Sequence, residues 1–438
     1  MAKYVKRVVI CPWFIDSPVV SHTGLGRSFW DIVDPDHITK EIDRQLQKLL
    51  CKDIAPVVSA LNAMQNVNEY VIKWDEGKYH PELYTAFFTP MLQKWTGQLT
   101  KLSIMVPPQF VRSLASIRLR RLEYLEYHFC TGRTLLHEID EVHNGFLVFV
   151  NNLRDSLKFI SFISTTTSLH LDVTRIYRSL GHFPKLHSIS LSAPFDGAHL
   201  SNNPLVFVQF LEKHRSTLKE ISVLTSRCTA FHSVPSHPET QLWIQKILTL
   251  IHTPFPRLRS LALAMRPLRV PLTNVSNFLD MHISTLDSVT LTDRALDYRD
   301  LVPLMQTTNG PLDLTGLRHF GVKLHNFTAD ILYYLASRMP ELRSLDIECY
   351  TIKGHLTDFS KGTDCVSYPP VLLVIYISKF DFLTCTFFLD RTNFARKSLT
   401  ISIVWSIGSS SVWRSDLKVM TGRTILRARW WNAYLIFR

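Results

Sequence analysis

The segment that comes nearest to a catalytic metal motif is HEIDEVH, at residues 137–143. A helical zinc site of the protease type needs histidines four residues apart, so that both imidazoles lie on one helical face. Here Glu141 stands four residues after His137, and the second histidine, His143, follows two residues later on another face. The spacing therefore predicts no metal site, and we expect both histidines to be polar surface residues.

A phosphate-binding loop and a cysteine nucleophile are the other enzyme-like candidates. GLGRS at residues 24–28 has two glycines, but it lacks a third glycine and a Lys-Ser/Thr pair, and no clear strand precedes it. The seven cysteines occur singly, without a CxxC pair or zinc-ligand spacing, and no histidine is placed to activate one. We therefore predict no enzyme, no cofactor and no metal, in a reducing, intracellular compartment.

Two C-terminal segments raise the questions of membrane and nucleic-acid binding. VLLVIYISKFDFLTCTFFL at 371–389 is strongly apolar, but Lys379 and Asp381 near its centre are costly in a bilayer. A buried strand pair is the favoured interpretation. RTILRARWWNAY at 423–434 mixes arginine with tryptophan, as single-strand binding sites do, but no nucleic-acid-binding fold surrounds it. Neither a membrane nor a nucleic acid is predicted as a partner.

The elements that must position any site are repeated. FPKLHSISL at 183–191 returns as FPRLRSLAL at 255–263 and as MPELRSLDI at 339–347. Their shared hexamer L-x-x-L-x-L, with other apolar residues allowed at positions 4 and 6, has nine accepted copies at spacings of 23 to 40 residues. Four further matches, at Leu114, Leu119, Leu205 and Leu372, are set aside because they crowd another copy, lie in a predicted helix or fall in the atypical C-terminal segment. The first residues of the nine hexamers are Leu99, Leu122, Leu157, Leu186, Leu218, Leu258, Leu286, Leu317 and Leu342.

Between the hexamers the apolar period changes from two to about 3.6, which predicts helix–loop–strand units. The clearest helices are predicted at 80–95, 236–251 and 326–339, the last with Thr328 as its N-cap. Only a neighbouring unit can bury both the strand face and the helix stripe. The predicted fold is α/β: an irregular leucine-rich-repeat-like solenoid with a parallel sheet on the concave side and helices on the convex side. An ordinary α/β domain whose strands share leucine spacing stays open as the alternative.

Composition and charge bound the domain organisation. The 438 residues are 46% hydrophobic and 20% charged, which excludes wholesale disorder, and the net charge is +12. We predict an N-terminal capping region at 1–98, a repeat array at 99–360 and an atypical basic C-terminal segment at 361–438. Outside the array, the predicted elements are a strand in 1–12, a helix at 34–54, a strand followed by a turn at 68–77 and a last strand at 399–404.

The letters that vary between hexamers predict where a partner binds. Position 2, at the strand's entry edge, is Lys or Arg in five of nine copies. Such a basic rim would steer an acidic protein segment, although surface solubility explains these residues equally well. Small residues dominate position 5, at the centre of the concave face, and leave room for a partner. The predicted partner-binding residues are Lys158, His187, Lys219, Arg259, Arg318 and Arg343 at position 2, with Ser190, Ser222 and Asp346 at position 5.

Together with LNAMQNVNEYVIKWDEGKYHPEL at 61–83, the irregular repeats resemble the large fungal group of F-box-associated leucine-rich-repeat-like proteins over roughly residues 1–360. The resemblance implies that the array presents substrates to a cullin-based, SCF-type ubiquitin ligase, whose adaptor subunit would be a further partner. An F-box itself is not detectable, because no LPxEI-like helix start occurs. The alternative is a leucine-rich-repeat interaction scaffold unrelated to ubiquitination.

Overall fold

The computed structural model describes most of the chain between residues 54 and 352 and selected segments outside it. The described residues are 2–10, 48, 52, 54–72, 86–88, 90–91, 93–106, 108–129, 136–164, 172–194, 200, 203–226, 242–265, 272–307, 310–352, 374–375, 383–387 and 399–405. The chain divides into two compact units. Of the described residues, those up to Phe159 belong to unit 1 and those from Ile160 onward belong to unit 2.

Unit 1 contains four strands that pair in parallel and in chain order. Its elements include β1 (Arg7–Ile10), β2 (Glu69–Ile72), β3 (Lys101–Val106), α1 (Pro108–Leu114), β4 (Tyr124–Phe129) and α2 (Leu136–Asn151). Residues 54–63 are also helical. The strands predicted in 1–12 and 68–77 are thus confirmed. Most of the helix predicted at 34–54, like the GLGRS segment, lies outside the described residues.

Buried aromatic side chains hold the start of unit 1 together. Phe87, Met91 and Trp95, which are spaced four residues apart in the helix predicted at 80–95, are all fully buried. The Tyr70 hydroxyl donates to the Phe87 carbonyl at 2.7 Å, and the Trp95 indole donates to the Met64 carbonyl at 2.8 Å. Each ring therefore contributes apolar contact area while its polar atom stays hydrogen-bonded, which is the condition for burying it without loss.

Unit 2 alternates helices and strands. Its elements are β5 (Phe159–Ile163), α3 (Val173–Ser179), β6 (Ser188–Ala193), α4 (Leu205–Lys213), β7 (Glu220–Thr225), α5 (Trp243–Leu250), β8 (Ser260–Ala264), α6 (Thr273–His282), β9 (Ser288–Leu296), α7 (Tyr298–Leu304), the hairpin β10 (Gln306–Thr307) and β11 (Gly310–Pro311), β12 (His319–Phe327), α8 (Ala329–Arg338) and β13 (Ser344–Ile352). The sheet order is β5-β6-β7-β8-β9-β12-β13. The protein is α/β with eleven parallel strands, and they do not close into a barrel.

All nine hexamers lie on these strands, and their apolar positions are buried as predicted. Positions 4 and 6 are buried in every copy, as at Ile189 and Leu191 of β6. Equivalent positions pair across neighbouring strands, so that Ser190 faces Ser222 and Ser222 faces Ala262. The first leucine is buried in eight copies, and Leu342 is the partly exposed exception. The repeat is therefore a real structural period of the sheet.

The helix predictions are confirmed where the structure describes the chain. The Thr328 hydroxyl accepts a hydrogen bond from the Ile331 amide at 3.3 Å, so Thr328 is the N-cap of α8. The prediction of a surface position was wrong for His143, which is only 4% exposed. His143 lies on the buried face of α2 with Ile139, four residues before it, and Phe146, three residues after it. Packing of that face buries it.

The C-terminal predictions are met in part. The last strand predicted at 399–404 is β16 (Leu399–Trp405), but it runs antiparallel to β13 and so does not extend the repeat. Within the apolar segment 371–389, β14 (Val374–Ile375) and β15 (Leu383–Phe387) each pair with β16. Among the described residues, no helix has the length and apolar character needed to span a membrane. The basic aromatic stretch at 423–434 lies outside them, and the predicted three-part domain division stays a prediction.

Candidate partner-binding groove

A ladder of shared carbonyls aligns the position-2 residues of unit 2. The Lys219 carbonyl accepts from the Arg259 amide at 2.7 Å and from the Ser260 amide at 3.0 Å. The Arg318 carbonyl accepts from the next position-2 amide, that of Arg343, at 2.7 Å. The same pattern joins every neighbouring pair of these strands from β6 to β13. Position-2 side chains consequently start from adjacent strands, about 4.8 Å apart, along one edge of the sheet.

Part of this edge forms a groove of about 600 Å³, which we call the basic groove. It is lined by Lys219, Pro256, Arg257, Arg259, Ser284, Thr285, Asp287 and Arg318. Four exposed cationic side chains therefore face one carboxylate. The structure brings together three residues of the predicted rim, Lys219, Arg259 and Arg318.

Arg257 is the groove residue that the sequence analysis missed. It comes from the turn before β8 and occupies the third place of the nonamer FPRLRSLAL. The equivalent residues of the other two nonamers are Lys185 and Glu341, so this place also varies in charge between copies. A comparison of the whole nonamers, rather than of the hexamers alone, would have identified Arg257 as a variable charged position.

The remaining predicted position-2 residues do not line the basic groove. Arg343 is exposed and His187 is half-buried, and both continue the edge on strands beyond the groove. Lys158 belongs to unit 1, where its ammonium pairs with the Glu123 carboxylate at 2.8 Å. Lys158 is thus already neutralised by its own chain.

The predicted position-5 residues lie on the face of the sheet opposite the helices. Ser190 and Ser222 are half-buried neighbours in this row, and Asp346 is exposed at its far end on β13. Gly321 pairs directly with Asp346. A Cβ atom at Gly321 would lie 2.9 Å from the Thr290 Cγ2 atom, so the backbone and the neighbouring side chain meet closely there.

Unit 1 carries a polar cluster on its own sheet that the sequence analysis did not predict. The Glu126 carboxylate accepts from the Ser103 hydroxyl at 2.6 Å and from the Tyr124 hydroxyl at 3.2 Å, and the His128 Nε2 atom lies 3.1 Å away. The hydrogen bond with His128 lowers the pKa of Glu126, burial raises it, and the hydrogen bond from Ser103 lowers it further. Together they bring this pKa to about 2.

This cluster differs from a hydrolase triad in its connections. A catalytic serine donates its proton to an imidazole base, which a carboxylate orients. Here the Ser103 hydroxyl donates to the Glu126 carboxylate instead. With its pKa near 2, Glu126 is a weak base and would not activate the serine. The cluster is best suited to joining β3 and β4.

Comparison with known proteins assigns no chemistry to either surface. A scan of protein-family models gives no match to this chain, and a search among curated proteins gives none. Among the described residues, no group of three or more His, Cys, Asp or Glu side chains could hold a metal ion. Function must therefore be inferred from the charge and shape of the basic groove.

Proposed function

We propose that this protein is an intracellular recognition scaffold, a leucine-rich-repeat-like solenoid that binds an acidic segment of a protein partner. The observation that carries the proposal is the basic groove, in which Lys219, Arg257, Arg259 and Arg318 surround a single carboxylate, Asp287. A concentration of one charge in a cleft attracts an oppositely charged partner over a long range and sets its orientation.

The regular register of the hexamers supports the solenoid part of the proposal. Each unit of a leucine-rich-repeat array contributes one strand to a continuous parallel sheet, with its variable positions lined up on one surface. Here positions 4 and 6 of all nine hexamers are buried. Position 2 provides a row that is exposed at Lys219, Arg259, Arg318 and Arg343.

We propose further that the bound partner is a substrate presented to a cullin-based ubiquitin ligase. Support for this step is the resemblance of residues 1–360 to F-box-associated repeat proteins, without a detectable F-box. A scaffold unrelated to ubiquitination is the alternative, and recovery of the ligase adaptor discriminates between the two.

The test is affinity purification of the full chain followed by mass spectrometry. Reversing Lys219, Arg259, Arg318 and Arg343 to Glu together should remove at least about nine-tenths of the bound partner, because attraction at the edge becomes repulsion. The ligase adaptor should still be recovered with this variant, since it would dock elsewhere. Its absence from both samples favours the scaffold unrelated to ubiquitination.

A matched control carries the same change in net charge at exposed arginines that do not line the groove. These are Arg118, Arg120, Arg178 and Arg299, all changed to Glu. The control should retain the partner. Equal recovery of the partner by wild type and by the groove-edge variant, with both folded by circular dichroism, would contradict the proposal.

A further inference from the structure

The positive charge of the basic groove is not neutralised within the part of the chain that the structure describes. There, none of the four cationic side chains forms an ion pair within 4.0 Å or a side-chain hydrogen bond, and neither does the Asp287 carboxylate. By contrast, the cations Lys158, Arg112 and Lys323 all pair with a glutamate. The basic groove is therefore left with a surplus of cationic donors.

We propose that the basic groove binds a phosphate monoester carried by the partner, as in a phosphoserine or phosphothreonine segment. This inference rests on the proposed function and names its ligand chemistry. A phosphorylated side chain carries a charge of about −1.5 to −2 and three acceptor oxygens. The planar guanidinium groups of Arg257, Arg259 and Arg318 present paired N–H donors that match phosphate oxygens. A carboxylate offers one charge and would leave most of these donors without a partner.

The dimensions of the groove favour an extended peptide as the carrier. Lys219, Arg259 and Arg318 stand at position 2 of β7, β8 and β12, and β9 lies between the last two. Three strand spacings of about 4.8 Å make a row about 14 Å long. An extended chain advances about 3.3 Å per residue, so the row matches about four residues. One phosphate fills only part of it, and the flanking residues of a peptide fill the rest.

Two further lining residues refine the specificity. Ser284 is exposed and offers a hydroxyl donor to the phosphate. Asp287 is the single repulsive group, between Arg259 and Arg318 in the position-2 row. Asp287→Asn should therefore strengthen phosphopeptide binding by about threefold, which is the size of a solvent-screened charge interaction.

The test uses three libraries of nine-residue peptides that differ at the central residue: phosphoserine, serine or glutamate. Binding to the full chain is measured by fluorescence anisotropy. The phosphoserine library should bind at least about tenfold more tightly than the other two, since hydrogen bonds to charged groups are the strong ones. The double variant Arg257→Gln, Arg259→Gln should lose about tenfold to a hundredfold of this affinity.

The double variant Arg178→Gln, Arg299→Gln is the matched control, because both arginines are exposed and lie outside the lining of the basic groove. It should bind the phosphoserine library like wild type. Equal binding of all three libraries overturns the proposal, and so does undiminished phosphopeptide binding by the folded double variant. Binding of inositol hexakisphosphate without any phosphopeptide binding also overturns it, and assigns the groove to a free phosphate ester instead.

Phosphatase treatment of the captured partner separates this inference from the proposed function. Release of the partner by the phosphatase supports binding of a phosphate monoester. Phosphatase inhibitors should reduce this release. Retention after complete dephosphorylation, together with loss in the Lys219, Arg259, Arg318 and Arg343 reversal, overturns the phosphate inference and leaves protein recognition standing. Retention in both experiments overturns both.

Discussion

Two buried histidines of unit 2 make the same hydrogen bond at the ends of their helices. In each, the Nδ1 atom donates to the backbone carbonyl four residues earlier, at 2.8 Å: His214 to Phe210 and His282 to Phe278. The His214 Nε2 atom also accepts from the Phe183 amide at 3.0 Å, so protonation of the ring would break that bond. Burial lowers the pKa of His214 to about 4, and burial lowers the pKa of His282 as well.

The folded protein should therefore lose stability in mild acid. Between an unfolded-state pKa near 6.5 and the folded-state value near 4, His214 binds a proton in the unfolded chain and not in the folded one. Its contribution is complete above pH 6.5 and declines as the pH falls. The free energy of unfolding should drop by up to about 2 kcal/mol between pH 6.5 and pH 5 through this residue.

Urea titrations at pH 7, 6 and 5 measure this effect. His214→Gln has no titrating ring, and its stability should depend less steeply on pH than that of wild type. His252→Gln, at an exposed position, should leave the wild-type dependence unchanged. Identical pH slopes for wild type and His214→Gln would show that the imidazole is not the responsible group.

At the scale of elements, a second repeated motif joins each of two helices to the strand that follows. HRSTL at 214–218 and HISTL at 282–286 have the same geometry. The histidine carbonyl accepts from the threonine hydroxyl at 3.1 and 3.0 Å, and from the leucine amide at 3.1 Å in both copies. That leucine is position 1 of the next hexamer. The motif therefore ends the helix and places the first buried leucine of the following strand. Its repetition was visible in the sequence.

The close approach of β9 and β12 gives a prediction at the same scale. The Cβ atom of Gly321→Ala would meet the Thr290 Cγ2 atom at 2.9 Å, and a β-branched side chain has few rotamers available for retreat. We expect a loss of about 1 kcal/mol in the free energy of unfolding. In a Thr290→Ala background the same change should be neutral or slightly stabilising, because alanine loses less entropy than glycine in a strand.

A double-mutant cycle by chemical denaturation measures the coupling. The expected interaction energy between the two positions is about 1 kcal/mol. An equal cost of Gly321→Ala in both backgrounds would place the strain elsewhere. The phosphopeptide affinity of each folded variant serves as the control, since neither residue lines the basic groove.

At the scale of the whole molecule, the net charge of +12 and the basic groove predict a salt-sensitive association with the partner. Raising the ionic strength from about 0.1 M to about 1 M shortens the screening length from about 10 Å to about 3 Å. The association rate constant should fall by about tenfold or more, while the dissociation rate changes less. Stopped-flow measurements with the captured partner test this, and the Lys219, Arg259, Arg318 and Arg343 reversal should remove most of the dependence. A salt-independent association rate would argue against electrostatic steering.

The sequence by itself determined the period of the sheet. Leu186, Ile189 and Leu191 of the first nonamer are buried, and the same places are buried in the hexamers that begin at Leu218 and Leu258. These features follow from local patterns, because apolar alternation, helical periodicity and capping act within a few residues of chain. The candidate site was predictable to the same depth, as a row of basic residues at position 2.

Only the tertiary structure decided which of those charges act together. Arg257 enters the basic groove from a turn, whereas Lys158 is paired with Glu123 and Arg343 lies outside the groove. Packing of α2 likewise buries His143 on the inner face of that helix. Equivalent positions of successive hexamers are 23 to 40 residues apart in the chain. Their charges and side-chain orientations combine only after the strands have paired and the helices have packed, which no local pattern encodes.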